Sequence, residues 1–325
     1  MAETNYVEAA RAALAQEMER DETIFVVGEG IGERGGNFNT TTGLFELHGP
    51  ERLRDTPICE RGFSTMCVGA AVAGARPVVD FMFMDFALDA FGDLINQASR
   101  MRWMSSGRIS VPMVIRACIG LYKSGSSHHS GSFYSFLVHQ PGFHVALPSG
   151  PRTAKGLLTT ALRSHDPVVF LEHRALLVLK EEVPAGDYAI PFGQAEVVRE
   201  GSDITIVAIA AMVPRCVEAA AILERQGVSV EVVDPRTVAP LDLDTIKESV
   251  HKTGRLLVVE EDYAPCSVGA DIAARVADES FDDLDAPIRR LHCGFAPAPY
   301  SPVLENELLI DTDAVVQAVL DLRDE

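Results

Sequence analysis

A series of short, nearly uninterrupted apolar runs constrains this chain more than any other feature. TIFVVGEG, RPVVDFMF, VPMVIRACIG and PVVFLEH fall in the first part, and DITIVAIA, VSVEVVD and RLLVVEED in the second. Strands that are apolar at successive positions, without polar alternation, belong in sheets covered on both faces, which are mostly parallel. Between the runs lie helical patterns. The chain opens on one, MAETNYVEAARAALAQEMERDE, followed by STMCVGAAVAGA at 64–75, ALDAFGDLINQASRMRWM and TAKGLLTTALR. After DITIVAIA come CVEAAAILERQG, LDLDTIKESVHKTG, VGADIAARVADESF and DTDAVVQAVLDLRDE. The order predicts an α/β fold of two doubly wound domains. From Arg174 to about Gly201 the periodicity fails, with Pro184, Gly186, Pro191 and Gly193 in quick succession. That stretch reads as the linker, so the expected domains are 1–190 and 191–325. With 325 residues, 47% of them hydrophobic, there is material for a large core.

Charge and cysteine usage narrow the function classes. The 28 basic and 47 acidic side chains give a net charge of −19, whose field repels polyanions, so nucleic acid is not an expected partner. No apolar run approaches the length of a membrane span, and the start lacks a basic-then-apolar leader, so a cytoplasmic protein is expected. The six cysteines are scattered without a Cys-x-x-Cys pair and read as reduced thiols rather than zinc ligands. Gly28-Glu29-Gly30 follows a strand, but Glu33 stands where a dinucleotide fingerprint needs its third glycine. Neither a P-loop nor a Gly-x-Ser-x-Gly elbow occurs. His128 and His129 are adjacent and point apart, so no metal site is expected in this chain.

Three features carry chemistry. Thr56-Pro57-Ile58-Cys59-Glu60, a strand-like stretch, runs into a carboxylate; Leu121 to Phe133 form a Gly/Ser-rich loop with two histidines; and Phe86 ends an aromatic strand. Two readings fit Glu60. It pairs with Arg61 or ends the strand in solvent, or it is held in an apolar pocket for chemistry. A carboxyl group among apolar and aromatic neighbours, with no metal beside it, suits hydrogen bonding to a heteroaromatic ring nitrogen, as in thiamine diphosphate enzymes.

The ordered series GEGIG, GGNF, HGPERLRDTPICERGF, GAAVAGARPVVDFMF, NQASRMRW, HHSGSF, HQPGFHVALPSGPRTAKGLL, DPVVFLEH and VVDPRTVAPLD spans nearly the whole chain. It resembles the β subunit of the thiamine diphosphate-dependent 2-oxo acid dehydrogenases, of the pyruvate, branched-chain and acetoin type. The resemblance implies a transketolase-like pyrimidine-binding domain followed by a smaller transketolase-like C-terminal domain. It implies that Glu60 meets the cofactor's pyrimidine, and that Ile58 and Phe86 wall that ring. Glu29 would help to link paired active sites, and His129 would face the substrate and the lipoyl group, protonating or orienting as the acyl unit passes.

The resemblance also implies departures and a partner. Gly30 stands for the family's usual Asp, Gly131 for a Gln, and Ser64-Thr65 for a small residue and glycine. The Gly-Asp-Gly and distant Asn that hold diphosphate and Mg²⁺ are missing, since Gly92-Asp93 and Gly186-Asp187 are not followed by glycine. An α subunit would therefore hold most of the Mg²⁺ site, in an α2β2 heterotetramer that docks on a lipoyl acyltransferase core. Ser164 and Asp166 lie where relatives hold a potassium ion, although turn chemistry explains that segment equally. Two other functions stay open: a split transketolase-like or acyloin-forming carboligase subunit, and a non-catalytic assembly subunit.

Overall fold

A computed structural model describes residues 2–325, which divide into two compact units. The first takes the chain up to Gly120 together with 128–192; the second takes 121–127 and 193–325.

In the first unit β1 (Ala2–Asn5) leads into α1 (Tyr6–Arg20). Asn5 and Glu8 form a reciprocal capping box at the start of that helix. The central strands are β2 (Ile24–Gly28), β3 (Leu53–Asp55), β4 (Arg76–Phe83), β5 (Val114–Ile119), β6 (His144–Ala146) and β7 (Val168–His173). They lie in the order β6-β7-β5-β4-β2-β3, and every pairing among them is parallel. All six residues of β5 and of β7 are buried, as their unbroken apolar patterns require. The exceptions in composition are Arg116 on β5 and Glu172 and His173 on β7; the Arg116 guanidinium meets Glu172, with Nη2 to Oε1 at 2.9 Å. Two further helices, α2 (Glu60–Val72) and α3 (Pro151–Arg163), complete the layers. Arg163 of α3 binds Glu17 of α1 through both carboxylate oxygens, at 2.9 and 2.7 Å. Beyond β7, β8 (Lys180–Val183) pairs antiparallel with β1.

Several expectations need correction. The stretch 56–60 is not a strand. β3 is the edge of its sheet, Pro57 has no N–H to donate, and pairing stops at Asp55. The following helix begins at Glu60, not at residue 64. Ser64 and Thr65 donate back to the carbonyls of Glu60 and Arg61, each at 2.6 Å, so they lie inside the helix and do not cap it. β4 ends at Phe83, leaving Phe86 on a helical turn, Met84–Ala87. The single helix expected over 87–104 is a succession of short turns. It includes a π-helical stretch, Leu94–Ala98, beside which Gly142 packs so closely on Ser99 that an added Cβ would lie 2.0 Å from the Ser99 carbonyl oxygen.

In the second unit, β9 (Glu196–Arg199), β10 (Ile204–Ala208), β11 (Val230–Asp234), β12 (Leu256–Glu260) and β13 (Arg289–His292) lie in the order β13-β12-β10-β11-β9. All pair in parallel except the edge strand β9, which is antiparallel to β11. Helices α4 (Met212–Glu224), α5 (Leu243–Thr253), α6 (Val268–Glu279) and α7 (Thr312–Arg323) alternate with them. The segment 121–127 is stitched into this unit. Glu261 accepts from the Leu121 N–H at 2.6 Å, Glu305 from the Ser124 N–H at 2.8 Å, and the Ala298 carbonyl from the Ser127 hydroxyl at 2.8 Å. No helix among the described residues is long and apolar enough to cross a membrane.

Candidate active site

The parallel order of the first sheet places the candidate residues together. Glu29 follows β2, Glu60 follows β3, Phe86 follows β4 and His129 follows β5, and these four strands are neighbours in the order β5-β4-β2-β3. In open α/β sheets the carboxyl ends of the strands, near a reversal of strand order, form the crevice that takes ligands. The chain passes from β2 to one neighbour, β3, and returns over β2 to the other, β4, so the reversal lies here.

Glu60 is the first residue of α2, partly buried, where the helix dipole favours a negative charge. Arg61 does not pair with it; its Nε donates to Asp93 Oδ2 at 3.0 Å. Phe63, buried one turn on and packed 5.5 Å from the Phe81 ring, fixes the start of the helix. Glu29 leaves β2 at Gly28, where an added Cβ would stand 2.5 Å from the Asp80 carbonyl oxygen, so only glycine allows the two strands this approach. Burial, and after it the negative charge of Glu60, hold the Glu29 carboxyl above its ordinary range. The charge of Glu60 thus reaches the Glu29 carboxyl. Neither occupies a closed apolar niche within this chain, and Ile58, expected to wall a ring, is 82% exposed.

Phe86 and His129 are brought together by a feature that sequence reasoning passed over. β4 is irregular between Asp80 and Phe83, with Met82 in the left-handed region at φ +61°. Asp80 stabilises the kink by accepting from the Met82 N–H at 2.9 Å. Beyond it, Phe83 lies 5.4 Å from Phe38, 5.7 Å from Phe86 and 4.6 Å from His129, all edge to face, and His129 also meets Phe86 at 5.4 Å. Asp85 accepts from the Gly131 N–H at 3.1 Å and so pins the histidine segment to the turn after β4. Burial pushes the Asp85 carboxyl up, against the pull of that hydrogen bond. Phe38, Phe83 and Asp85 were missed; the one signal for Phe83 and Asp85 was the aromatic run Phe81-Met82-Phe83-Met84-Asp85-Phe86, and Phe38 had none beyond its place in Gly35-Gly36-Asn37-Phe38. His128 is exposed and takes no part in the ring cluster.

The arrangement offers two interacting carboxylates, an aromatic wall and an imidazole at one crevice, suited to holding a flat heterocycle and moving protons at its edge. Among the described residues, no group of three or more His, Cys, Asp or Glu side chains is placed to hold a metal ion. At 164–166 the turn is closed by its own bonds: Ser164 Oγ donates to the Asp166 carbonyl at 2.9 Å and accepts from its N–H at 3.1 Å. Arg102 takes the Asp166 carboxylate at 2.5 Å, and Arg76 donates to the Ser164 carbonyl at 2.7 Å.

Comparison with known proteins agrees with this architecture. Residues 2–180 match the transketolase pyrimidine binding domain, and residues 193–315 the transketolase C-terminal domain. The chain is 42% identical to the 2-oxoisovalerate dehydrogenase subunit beta of Bacillus subtilis, covering 100% of both chains. It is 43% identical to the acetoin:2,6-dichlorophenolindophenol oxidoreductase subunit beta of Cupriavidus necator, over 95% of this chain and 94% of that one. Among solved structures, a split-gene transketolase described as an inactive β4 tetramer shares the fold, with a TM-score of 0.79 at 23% identity over 98% of this chain and 97% of that one. The chain belongs to the family of β subunits of the 2-oxo acid dehydrogenase decarboxylating components, built from a transketolase pyrimidine-binding domain and a transketolase C-terminal domain.

Proposed function

We propose that this chain is the pyrimidine-binding half of a thiamine diphosphate-dependent enzyme that decarboxylates a 2-oxo acid and passes the acyl unit to a lipoyl group. One observation carries the reading: Glu29, Glu60, Phe86 and His129 follow four neighbouring parallel strands, β2, β3, β4 and β5, and so come to one end of the sheet, where Phe86 and His129 share a ring cluster with Phe83 and Phe38. The residues fit the group. An aminopyrimidine needs an apolar face and a carboxyl able to hold a proton against a ring nitrogen, and the crevice offers Phe86 for the first and Glu60 for the second. When bound, the cofactor supplies the nucleophilic carbon and takes up the electrons left as CO₂ departs. Glu60, at the first turn of α2, would meet the pyrimidine edge and exchange a proton there, with Glu29, whose own carboxyl is raised by burial and by Glu60, as its neighbour. Ile58, once covered, would help to wall the ring, and His129 would orient the acyl unit or give it a proton.

The covering comes from a partner. The outward face of α2 presents Gly62, Thr65, Met66, Gly69, Val72 and Ala73, a stripe at helical spacing composed of small and apolar residues. Ile58 and Leu88 are further exposed apolar side chains of this unit. Such a face supports an obligate α subunit, with the diphosphate and Mg²⁺ held mainly on that side, in an α2β2 assembly that docks to a lipoyl acyltransferase core. The test is to purify the chain with its α subunit, load it with thiamine diphosphate and Mg²⁺, and assay 2-oxo acids with lipoamide. Reductive acylation of lipoamide is the expected result. Ketol formation from an added aldehyde with no acylation of lipoamide would replace this reading with a carboligase.

A further inference from the structure

The side chain that ties the His129 segment to the turn after β4 is Asp85, which the proton and acyl chemistry leaves unused. Asp85 stands one residue before Phe86 on the turn Met84–Ala87. His129 lies 4.6 Å from the Phe83 ring and 5.4 Å from the Phe86 ring, nearly perpendicular to both. Each such contact contributes modestly, and neither ties the backbone that carries the imidazole. That backbone is a poor tether by itself. The Ser130 hydroxyl is buried without a hydrogen-bond partner in the protein, so it does not anchor the segment. Residue 131 is glycine, with the most conformational freedom to lose on folding, and the Phe133 ring leaves no room there for a Cβ. Asp85 makes good the deficit: its Oδ2 accepts from the Gly131 N–H at 3.1 Å. Burial raises the Asp85 carboxyl, the bond from Gly131 lowers it, and the His129 and His128 imidazoles lower it further. The carboxylate is thus within electrostatic reach of both histidines while it holds the backbone beyond them.

We propose that Asp85 is a positioning residue for His129: by holding the Gly131 N–H, its carboxylate fixes the imidazole against Phe83 and Phe86, in the orientation from which it addresses the acyl unit. This rests on the functional reading given above, and it adds a residue that acts through His129 and not on the reacting atoms. A tether of this kind matters because a displacement of about 1 Å at an acid–base group costs about 100-fold in rate. The side chains that could replace Asp85 separate its contributions. Asn keeps an acceptor for the Gly131 N–H, Ala removes it, and Glu keeps the charge but carries it one methylene further out.

The experiment uses the cofactor-loaded complex with the α subunit and measures kcat and KM for acylation of lipoamide from pyruvate and from 2-oxoisovalerate. The proteins compared are the unmodified chain, Asp85→Ala, Asp85→Asn, Asp85→Glu, His129→Ala, and Asp85→Ala combined with His129→Ala. Asp85→Ala is expected to lower kcat by about 100-fold with little change in KM. Asp85→Asn should stay within about five-fold of the unmodified protein, the scale of the difference between a charged and a neutral acceptor. In the His129→Ala background Asp85→Ala should cost nothing more, since no imidazole is left to position; a merely structural role would give losses that multiply. A readout without turnover is the His129 ring resonance of the full chain, displaced by the ring currents of Phe83 and Phe86. It should move toward that of an exposed histidine in Asp85→Ala and stay in place in Asp85→Asn. If Asp85→Ala fails to fold, Asp85→Glu carries the same test, alone and with His129→Ala. Losses that multiply, equal losses for Asn and Ala, full turnover of Asp85→Ala or of His129→Ala, or an unmoved His129 resonance would each overturn the assignment. No turnover of any 2-oxo acid by the unmodified complex overturns the functional reading itself, and the role of Asp85 with it.

Discussion

Glu29 shows how one side chain reports on the whole crevice. Its carboxyl is held above the ordinary range, first by burial and then by Glu60. The folded chain therefore binds that proton more readily than the unfolded chain does. The stability it contributes is complete below the ordinary carboxylate range and is lost as pH rises through the raised pKa. Glu29→Gln should accordingly stabilise the chain at pH 8, with the gain shrinking toward pH 5. Thermal unfolding of both proteins across that range checks the sign. A gain that grows on acidification would mean that the two carboxylates do not interact as described. The identity of these acids was not legible from composition or periodicity. Glu60 stood between two readings until the family resemblance was considered, and the structure adds that Arg61 is committed to Asp93.

At the level of elements, the buried pair Arg116–Glu172 joins the two central strands β5 and β7, and each residue is about 2% exposed or less. Removing one partner leaves a charge in the sheet interior, which typically costs about 3–5 kcal/mol. Glu172→Ala should lower stability by that amount in chemical denaturation, whereas replacing both residues by apolar ones should recover most of the loss. Strands such as these were legible because full burial writes itself as an unbroken apolar run. The antiparallel edges β1, β8 and β9 were not, since they are short and half polar, and 174–201 read as linker although β8 and β9 lie in it. The apolar pair Ile58-Cys59 misled in the opposite direction. It looks like a strand, yet both residues are exposed beyond the sheet edge. The kink at Met82 is set by a hydrogen bond from its own N–H to Asp80, a tertiary detail with no periodic signal, and so the ring cluster around Phe83 was invisible until the fold was seen.

For the whole molecule, the decisive property is the surface left uncovered by this chain. Gly69 lies in the middle of the exposed stripe of α2, and an added Cβ there meets nothing within 4 Å. Gly69→Leu should leave the folded chain intact, with an unchanged circular dichroism spectrum and melting temperature, yet abolish co-purification with the α subunit. If the variant assembles normally, α2 is not the covered face. The net charge of −19 gives the chain a field that repels a nucleic-acid backbone. The most direct test of the central claim is turnover of the assembled, cofactor-loaded complex carrying Glu60→Gln. Gln keeps the size of the side chain but cannot hold the proton against the pyrimidine. The account predicts that assembly and cofactor retention persist while turnover falls by about 100-fold or more, the scale of a lost acid–base group; full turnover would contradict it.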